Sequence, residues 1–412
     1  MNKVVETTPL PDKRLVRSKN AAISLPGRFR FDEVRPERVE ERLAPPPEPT
    51  LGPLAAFVGT WKGNGFNTIF RPNSPQTPTP FPTPAGGDNV LELNLTEESL
   101  AFSPSLGSVP NRGMTEADVF LNGVPYLQTI SDITLGQPVG IHAEPGLWMC
   151  VPPTLEETVQ TVARMASIPH GTTILAQGTS VTFAGPPNIP PASITPFFTQ
   201  PAGTPLPPPG PGLPFPSQVA ADSTTARIPQ DLTPFINAGT ITQAILDDPN
   251  TVLRNHNNGL DIVSTTQISI STAPTQPLFG GGTDNIAFLL GSAAAQNNPQ
   301  APGENAQTLQ MEATFWIETV EHRIVIPIFE PGDLPLHLEP EPEQAHPNRP
   351  LPTFTGRPPR GIPAGHVIKF HSTQIQYSQT VMLNFNSLTW PHVSVATLVP
   401  AGAIPIPPGA WT

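Results

Sequence analysis

Residues 373–385 read TQIQYSQTVMLNF, and their alternation decides the fold. Ile375, Tyr377, Gln379, Val381, Leu383 and Phe385 fall on one face of an extended chain. Gln374, Gln376, Ser378, Thr380, Met382 and Asn384 fall on the other. Successive side chains of a strand point to opposite sides, so both faces of this strand carry polar residues. A dry sandwich core would make one face uniformly apolar, whereas a barrel with a partly polar interior gives this mixture. Residues 260–272 repeat the pattern, with Ile262, Ser264, Thr266, Ile268 and Ile270 set against Asp261, Val263, Thr265, Gln267 and Ser269. Working outward, further alternating segments fall near 60–70, 89–95, 98–103, 116–121, 124–131, 139–151, 159–167, 172–183, 309–320, 323–328, 366–371 and 390–399. Turn residues separate them, and no amphipathic helices intervene. The pattern predicts an all-β protein: one antiparallel β-barrel of about ten strands, with long Pro-rich loop insertions and an N-terminal arm.

Composition agrees. The chain holds 59 Pro and 32 Gly in 412 residues, and only 13% of it is charged. That excludes a charge-laced coiled coil and a mainly helical protein, since Pro and Gly are the two poorest helix formers. The formal net charge is −12, but residues 1–43 are basic and the remainder is strongly acidic. An acidic body repels phosphate backbones, so no nucleic-acid partner is expected. The single Cys150 rules out an intramolecular disulfide. No apolar run reaches membrane-spanning length, and the N-terminus lacks the apolar centre of a signal peptide. The expectation is a soluble, cytoplasmic protein compatible with homo-oligomerisation.

The chain divides into a basic arm over 1–50, with a short helix near Phe31–Leu43, then the first part of the barrel over 51–183. An insertion follows over 184–259, the remainder of the barrel over 260–400 with loops 273–306 and 329–365, and a tail over 401–412. Within the insertion, residues 186–216 are so rich in Pro that they cannot sit mid-sheet. They are expected to form a surface excursion that buries little, followed by a helix at 240–247. The long loops are either decoration or a cover for a barrel mouth.

Standard catalytic motifs are absent: no P-loop, no GxGxxG after a strand, no HExxH, no GxSxG. Cys150, in the apolar strand Leu147-Trp148-Met149-Cys150-Val151, reads as a small buried hydrophobe. The segment His337 to His346 clusters three carboxylates between two histidines, and its alternating Pro favours a solvated acidic loop over a metal site. Four histidines fall in strands or strand ends: His142, His170, His371 and His392. Each has a plain structural reading. His392 has the stronger functional one, because it enters the last strand behind Pro391 and beside Trp390. An imidazole on a rigid strand facing an apolar cavity is what axial ligation of haem iron requires.

Four segments carry a family resemblance in order. Gly59-Thr60-Trp61-Lys62-Gly63-Asn64-Gly65 resembles the GTWxGxG opening of the nitrobindin-like haem-binding β-barrels, relatives in fold of fatty-acid-binding proteins and lipocalins. Pro138 to Trp148 resembles that family's PLHxExGxLR strand pair, and Val162 to Gly171 its ELxxAHPTG strand. Tyr377 to Leu398 resembles its closing hairpin, whose His binds haem iron from the proximal side. The resemblance implies haem b as cofactor, His392 as the metal ligand, and His142 and His170 as pocket histidines with a catalytic role. Trp61, Phe66, Trp148 and Trp390 are the expected cofactor-binding walls. Met149 stands where the family has Arg, which removes one partner for a haem propionate.

Two functions follow. The first is a haem protein binding or turning over a small oxidant (nitric oxide, peroxynitrite or peroxide), of peroxidase or peroxynitrite-isomerase type if it is an enzyme. The second is a haem-free, lipocalin-like carrier or cyclase for an apolar small molecule, with Tyr126, Tyr377, Arg164 and Gln376 fixing a polar head group. A docking role for the Pro-rich loop is a third, lesser reading.

Overall fold

The computed structural model describes residues 50–73, 87–155, 157–168, 170–199, 212–278, 280–290, 305–340 and 348–411. The N-terminal arm with its expected helix, residues 200–211 of the Pro-rich excursion and residues 341–347 of the acidic loop lie outside them.

Ten long strands form the body. They are β1 (Gly59–Pro72), β2 (Asn89–Phe102), β3 (Val119–Asp132), β4 (Val139–Val151) and β5 (Thr161–Ile168). Then follow β6 (Thr172–Ala184), β7 (Asp261–Ser271), β8 (Gln307–Ile326), β9 (His366–Phe385) and β10 (Leu388–Pro400). Each pairs antiparallel with the next. β10 returns to β1, with Trp61 opposite Pro400 and Thr68 opposite Val393, and this pairing closes the barrel. The result is an up-and-down barrel in strict chain order, which leaves no free sheet edge. Several strands expected as two pieces are continuous, notably β2, β3, β8 and β9.

We call the end carrying the β9–β10 hairpin the upper end. That hairpin turns through Asn386 and Ser387, both at positive φ (50° and 62°), as a two-residue primed turn demands. The lower end is plugged by a 3-10 turn, Gly52–Phe57, whose Leu54 and Phe57 are fully buried. The glycines of the Gly63-Asn64-Gly65 segment let β1 press against β10. A Cβ on Gly63 or Gly65 would lie 1.9 or 2.0 Å from the carbonyl oxygen of Thr397 or Val395.

Apolar residues gather in three clusters. The first fills the barrel interior: Phe57, Trp61, Tyr126, Trp148, Phe315 and Tyr377 are its large members. The second lies on the outer wall, where Phe66, Phe70, Leu91, Leu93, Trp316, Trp390, Val393 and Val395 meet the insertion. The third sits where β8 and β9 run past the lower end and Phe329, Phe354, Phe370 and Trp411 pack together.

The insertion departs from expectation in three ways. The described part of its Pro-rich segment before residue 200 packs on the fold, because Ile189, Ile194 and Phe197 are buried and Phe197–Phe198 pairs with β10. Regular hydrogen bonding is poor there, but apolar contact against the wall replaces it. It also carries three helices rather than one: α1 (Thr233–Ala238), α2 (Gln243–Asp247) and α3 (Thr251–Asn257). Finally, its described residues lie against the side wall. The loop 329–365 belongs to the lower end, where Leu336–Leu338 and Phe354–Gly356 pair and Ile404–Pro405 of the expected tail joins them. The loop that reaches the upper end is 273–306: its Gly282–Asn285 pairs with β6, and Phe288 and Leu289 crowd Gly171. Among the described residues, no helix is long and apolar enough to cross a membrane.

Candidate functional site in the barrel interior

Strand periodicity places one residue in two on the inner wall. On β4 these are His142, Glu144, Gly146, Trp148 and Cys150; on β10 they are His392, Ser394, Ala396 and Leu398. The interior is layered. Its lower layer is aromatic: Phe57 stacks on Phe102 at 4.7 Å and meets Trp148 and Phe315 edge-on at 5.5 and 6.0 Å. Trp61 donates its indole N–H to the Phe57 carbonyl at 2.8 Å.

Above it lies a charged layer. Arg164 and Glu144 are 1% and 0% exposed and pair at 2.5 Å. Arg164 Nε donates to Tyr126 Oη at 2.8 Å and its Nη1 to Gln379 Oε1 at 2.7 Å. Tyr126 donates in turn to Glu144 Oε1 through a short hydrogen bond. The Arg164 guanidinium also lies 5.6 Å from the Tyr126 ring centre and 5.6 Å from that of Phe315. Gly146 makes the arrangement fit, since a Cβ there would stand 2.4 Å from the Tyr126 ring. Burial alone would raise the Glu144 pKa, but the Arg164 charge and the hydrogen bonds outweigh it and hold the carboxyl at about 2.

Two strands away on β2, Glu98 has no guanidinium beside it among the described residues. Tyr377 Oη donates to it at 2.6 Å, Thr96 Oγ1 at 3.1 Å and Gln128 Nε2 at 3.3 Å. Burial raises its pKa to about 6 against these donors.

The upper layer carries the histidines. His142 Nε2 lies 3.2 Å from Glu144 Oε2, and the His142 and His170 rings are 5.6 Å apart. His170 is exposed at the rim, with its pKa lowered by partial burial of the ring and by the nearby His142. His392 is half-buried, and its Nε2 lies 2.8 Å from Asn67 Nδ2. The same amide donates to Ser394 Oγ at 2.8 Å, and Asn94 Nδ2 donates to Asn67 Oδ1 at 3.3 Å. Burial first, then the proximity of His142 and His170, lower the His392 pKa to about 3, so its imidazole is neutral at pH 7. Ile130, Ile168, Ile174, Met311 and Val381 supply the apolar wall at this level.

The fold thus gathers His142, His170 and His392 at one end. It separates the four aromatic walls expected for a cofactor. Trp61 and Trp148 are inside, but in the lower aromatic layer. Phe66 and Trp390 belong to the outer cluster, where Trp390 stacks on Phe385 at 4.5 Å beneath Phe215 of the insertion. A large aromatic signals burial without saying on which side of a sheet. Of the head-group residues in the carrier reading, Tyr126, Tyr377 and Arg164 meet in the lumen. Gln376 points outward, donating to the Leu253 carbonyl and to Thr397 Oγ1 at 3.1 and 2.8 Å. Glu144, Glu98, Gln128 and Asn67 were not singled out from sequence, although the shared parity of His142, Glu144 and Trp148 already placed that carboxylate inside. His371 is exposed on the stretch of β9 that runs past the lower end, 4.0 Å from Glu321. Cys150 is buried in the lower layer, and burial pushes its thiol pKa up to about 11.

Among the described residues, no three His, Cys, Asp or Glu side chains converge as a metal site. No protein-family model matches the chain, and no curated protein matches it. Among solved structures, the crystal structure of Rv2717c from M. tuberculosis matches at 10% identity and a TM-score of 0.29, over 86% of this chain and 98% of that one.

Proposed function

We propose that the upper end of the lumen binds haem b, with His392 as the protein ligand to iron. The observation that carries this reading is the His392 imidazole, half-buried on the inner wall and kept neutral by its burial. Metal ligation needs an unprotonated ring nitrogen. Haem iron already holds four pyrrole nitrogens and needs only one protein ligand, which suits a site where three protein ligands do not converge. Asn67 would release His392 Nε2 and keep its partners Ser394 and Asn94. Ile130, Ile168, Ile174 and Val381 would border the macrocycle, and the rim histidines His142 and His170 would stand nearest its polar edge. When bound, such a haem supplies an iron centre able to bind nitric oxide, isomerise peroxynitrite or turn over peroxide, and polarity beside the open iron face selects among these.

Adding hemin to the purified protein and recording its visible absorption tests the reading. A sharp Soret band is expected, lost or shifted in His392→Ala and restored by added imidazole. An unshifted Soret maximum with equal haem content in His392→Ala would overturn the assignment.

The haem-free carrier is favoured by a different observation: His392 Nε2 already has a partner in Asn67. In that reading the polar layer of Tyr126, Arg164, Glu98 and Tyr377 forms the floor of an apolar pocket. No Soret band after reconstitution, together with saturable uptake of an apolar fluorescent probe, would select it.

A further inference from the structure

Two histidines stand at the rim, and among the described residues one of them, His142, is backed by a buried carboxylate. His142 Nε2 meets Glu144 Oε2 at 3.2 Å, with the His142 side chain 17% exposed and that of Glu144 0%. Glu144 is itself immobilised: its other oxygen receives Arg164 Nη2 at 2.5 Å and the Tyr126 hydroxyl. Among the described residues His170 has no equivalent partner; its ring contacts the Ile141 backbone and packs against His142.

We propose that Glu144 is a positioning residue that fixes His142 as its Nε2–H tautomer, making His142 the proton-transfer group of the upper end. An ionised carboxylate only accepts hydrogen bonds, so the ring nitrogen facing Glu144 carries the proton and Nδ1 keeps its lone pair. An imidazole oriented by a buried carboxylate is the recurring form of a general base in acyl-transfer sites. The same logic applies to any ligand carrying an acidic O–H, N–H or C–H. Nδ1 takes the ligand's proton, the imidazolium that forms is stabilised by Glu144, and the proton returns to ligand or water through Nδ1. Arg164 and Tyr126 keep Glu144 ionised throughout, so the carboxylate orients and does not itself accept the proton. The sequence places the device on one strand: His142 and Glu144 are two residues apart and share a face. His170 is thereby assigned to the rim wall and not to proton transfer.

The inference rests on the upper end being the ligand end, but not on haem. The test therefore uses the full-length protein without hemin. Long-range proton–nitrogen correlation spectra of 15N-labelled protein, with His142 assigned by comparison with His142→Gln, should show the Nε2–H tautomer in the neutral ring. Glu144→Gln, whose amide can donate to Nε2, should shift the population toward Nδ1–H, while His170→Gln should leave it unchanged. Where Glu144→Gln fails to fold because Arg164 is left unpaired, the double variant Glu144→Gln/Arg164→Gln removes both charges and carries the same expectation. A predominant Nδ1–H tautomer in the wild type, or an unchanged tautomer in the Glu144 variants, would overturn the proposal. A failed hemin titration beside the expected tautomer shift would sink the haem reading and leave this one standing.

Discussion

The chain buries carboxylates in two ways: beside a guanidinium, as at Glu144 in the lumen, or among neutral donors, as at Glu98 in the lumen and Glu318 on the outer wall. Glu144, in the lumen, and Glu318, on the outer face of β8 beneath α3, are both 0% exposed. Glu144 has a guanidinium at 2.5 Å and is held at about 2. Glu318 receives only amides, from Asn257 Nδ2 at 2.9 Å and from Gln374, and burial raises its pKa to about 7. Equal burial therefore yields opposite protonation, and the presence of a cation decides which. The lumen holds a permanent ion pair; the outer wall holds a carboxyl that titrates near neutrality.

Removing the lumen cation should have the largest effect. Arg164→Leu leaves Glu144 buried and unpaired, a change that typically costs about 3–5 kcal/mol. Urea unfolding of Arg164→Leu and of Arg164→Leu/Glu144→Leu checks this: the double variant should recover most of the loss. Equal stability of the two would mean that the pair is not a coupled unit.

The outer carboxyl should act through pH. A folded pKa of about 7, above the ordinary 4.5, means that the folded state holds a proton that the unfolded chain has released. Its contribution is complete below pH 4.5 and is lost as pH rises toward 7. Glu144 runs the other way, with stability present above pH 4.5 and lost as pH falls toward 2. Glu318→Gln should therefore be more stable than the wild type at pH 8, by at most about 3 kcal/mol from the size of the shift. Thermal unfolding at pH 5 and pH 8 reads the difference, and a gap that does not widen with pH would contradict the assignment.

A third test asks whether the outer region is separable from the barrel. Arg227 is fully buried and donates to the carbonyls of Ser217, Val219, Ala220, Asp222 and Gln230. Arg227→Ala leaves these carbonyls without that donor, and a loss of about 1–3 kcal/mol is expected for buried groups left unsatisfied. Hydrogen exchange should quicken across 212–258 and stay slow in β3 to β6. No larger effect is expected of Asn67→Ala, which removes three neutral hydrogen bonds, to His392, to Ser394 and from Asn94, for a loss of about 1–3 kcal/mol. It should also raise the affinity for hemin, because Nε2 no longer has a competing partner.

Much of the fold was legible because a strand's period of two survives any tertiary context. The same parity put Ile375, Tyr377, Gln379 and Val381 on one face of β9, and the structure turns that face inward. Continuity of β2 and β8 was harder to read, because Thr96-Glu97 and Glu321-His322 look like breaks in an alternating run. His322, for example, is accommodated by a partner far away in sequence, Ser372 Oγ on β9 at 2.7 Å. The side of the wall on which Phe66 and Trp390 pack was not legible, since the insertion gives the outer wall a core of its own. For the site, the histidines carried a local signal. The Asn67 partner of His392 did not, because strand register set that meeting across 325 residues, whereas Glu144 lies two residues from His142 on one face.

Strict chain order has a consequence for synthesis on the ribosome. Every wall of the barrel joins consecutive strands except the seam between β1 and β10, which must await almost the whole polypeptide. The Asn67–His392 contact lies at that seam and spans 325 residues, so the upper layer is assembled last, after the slow closure that distant contacts impose. Until then the free side of β1 is an unpaired edge open to other chains, and a product cut short before residue 388 would keep that edge and have no His392.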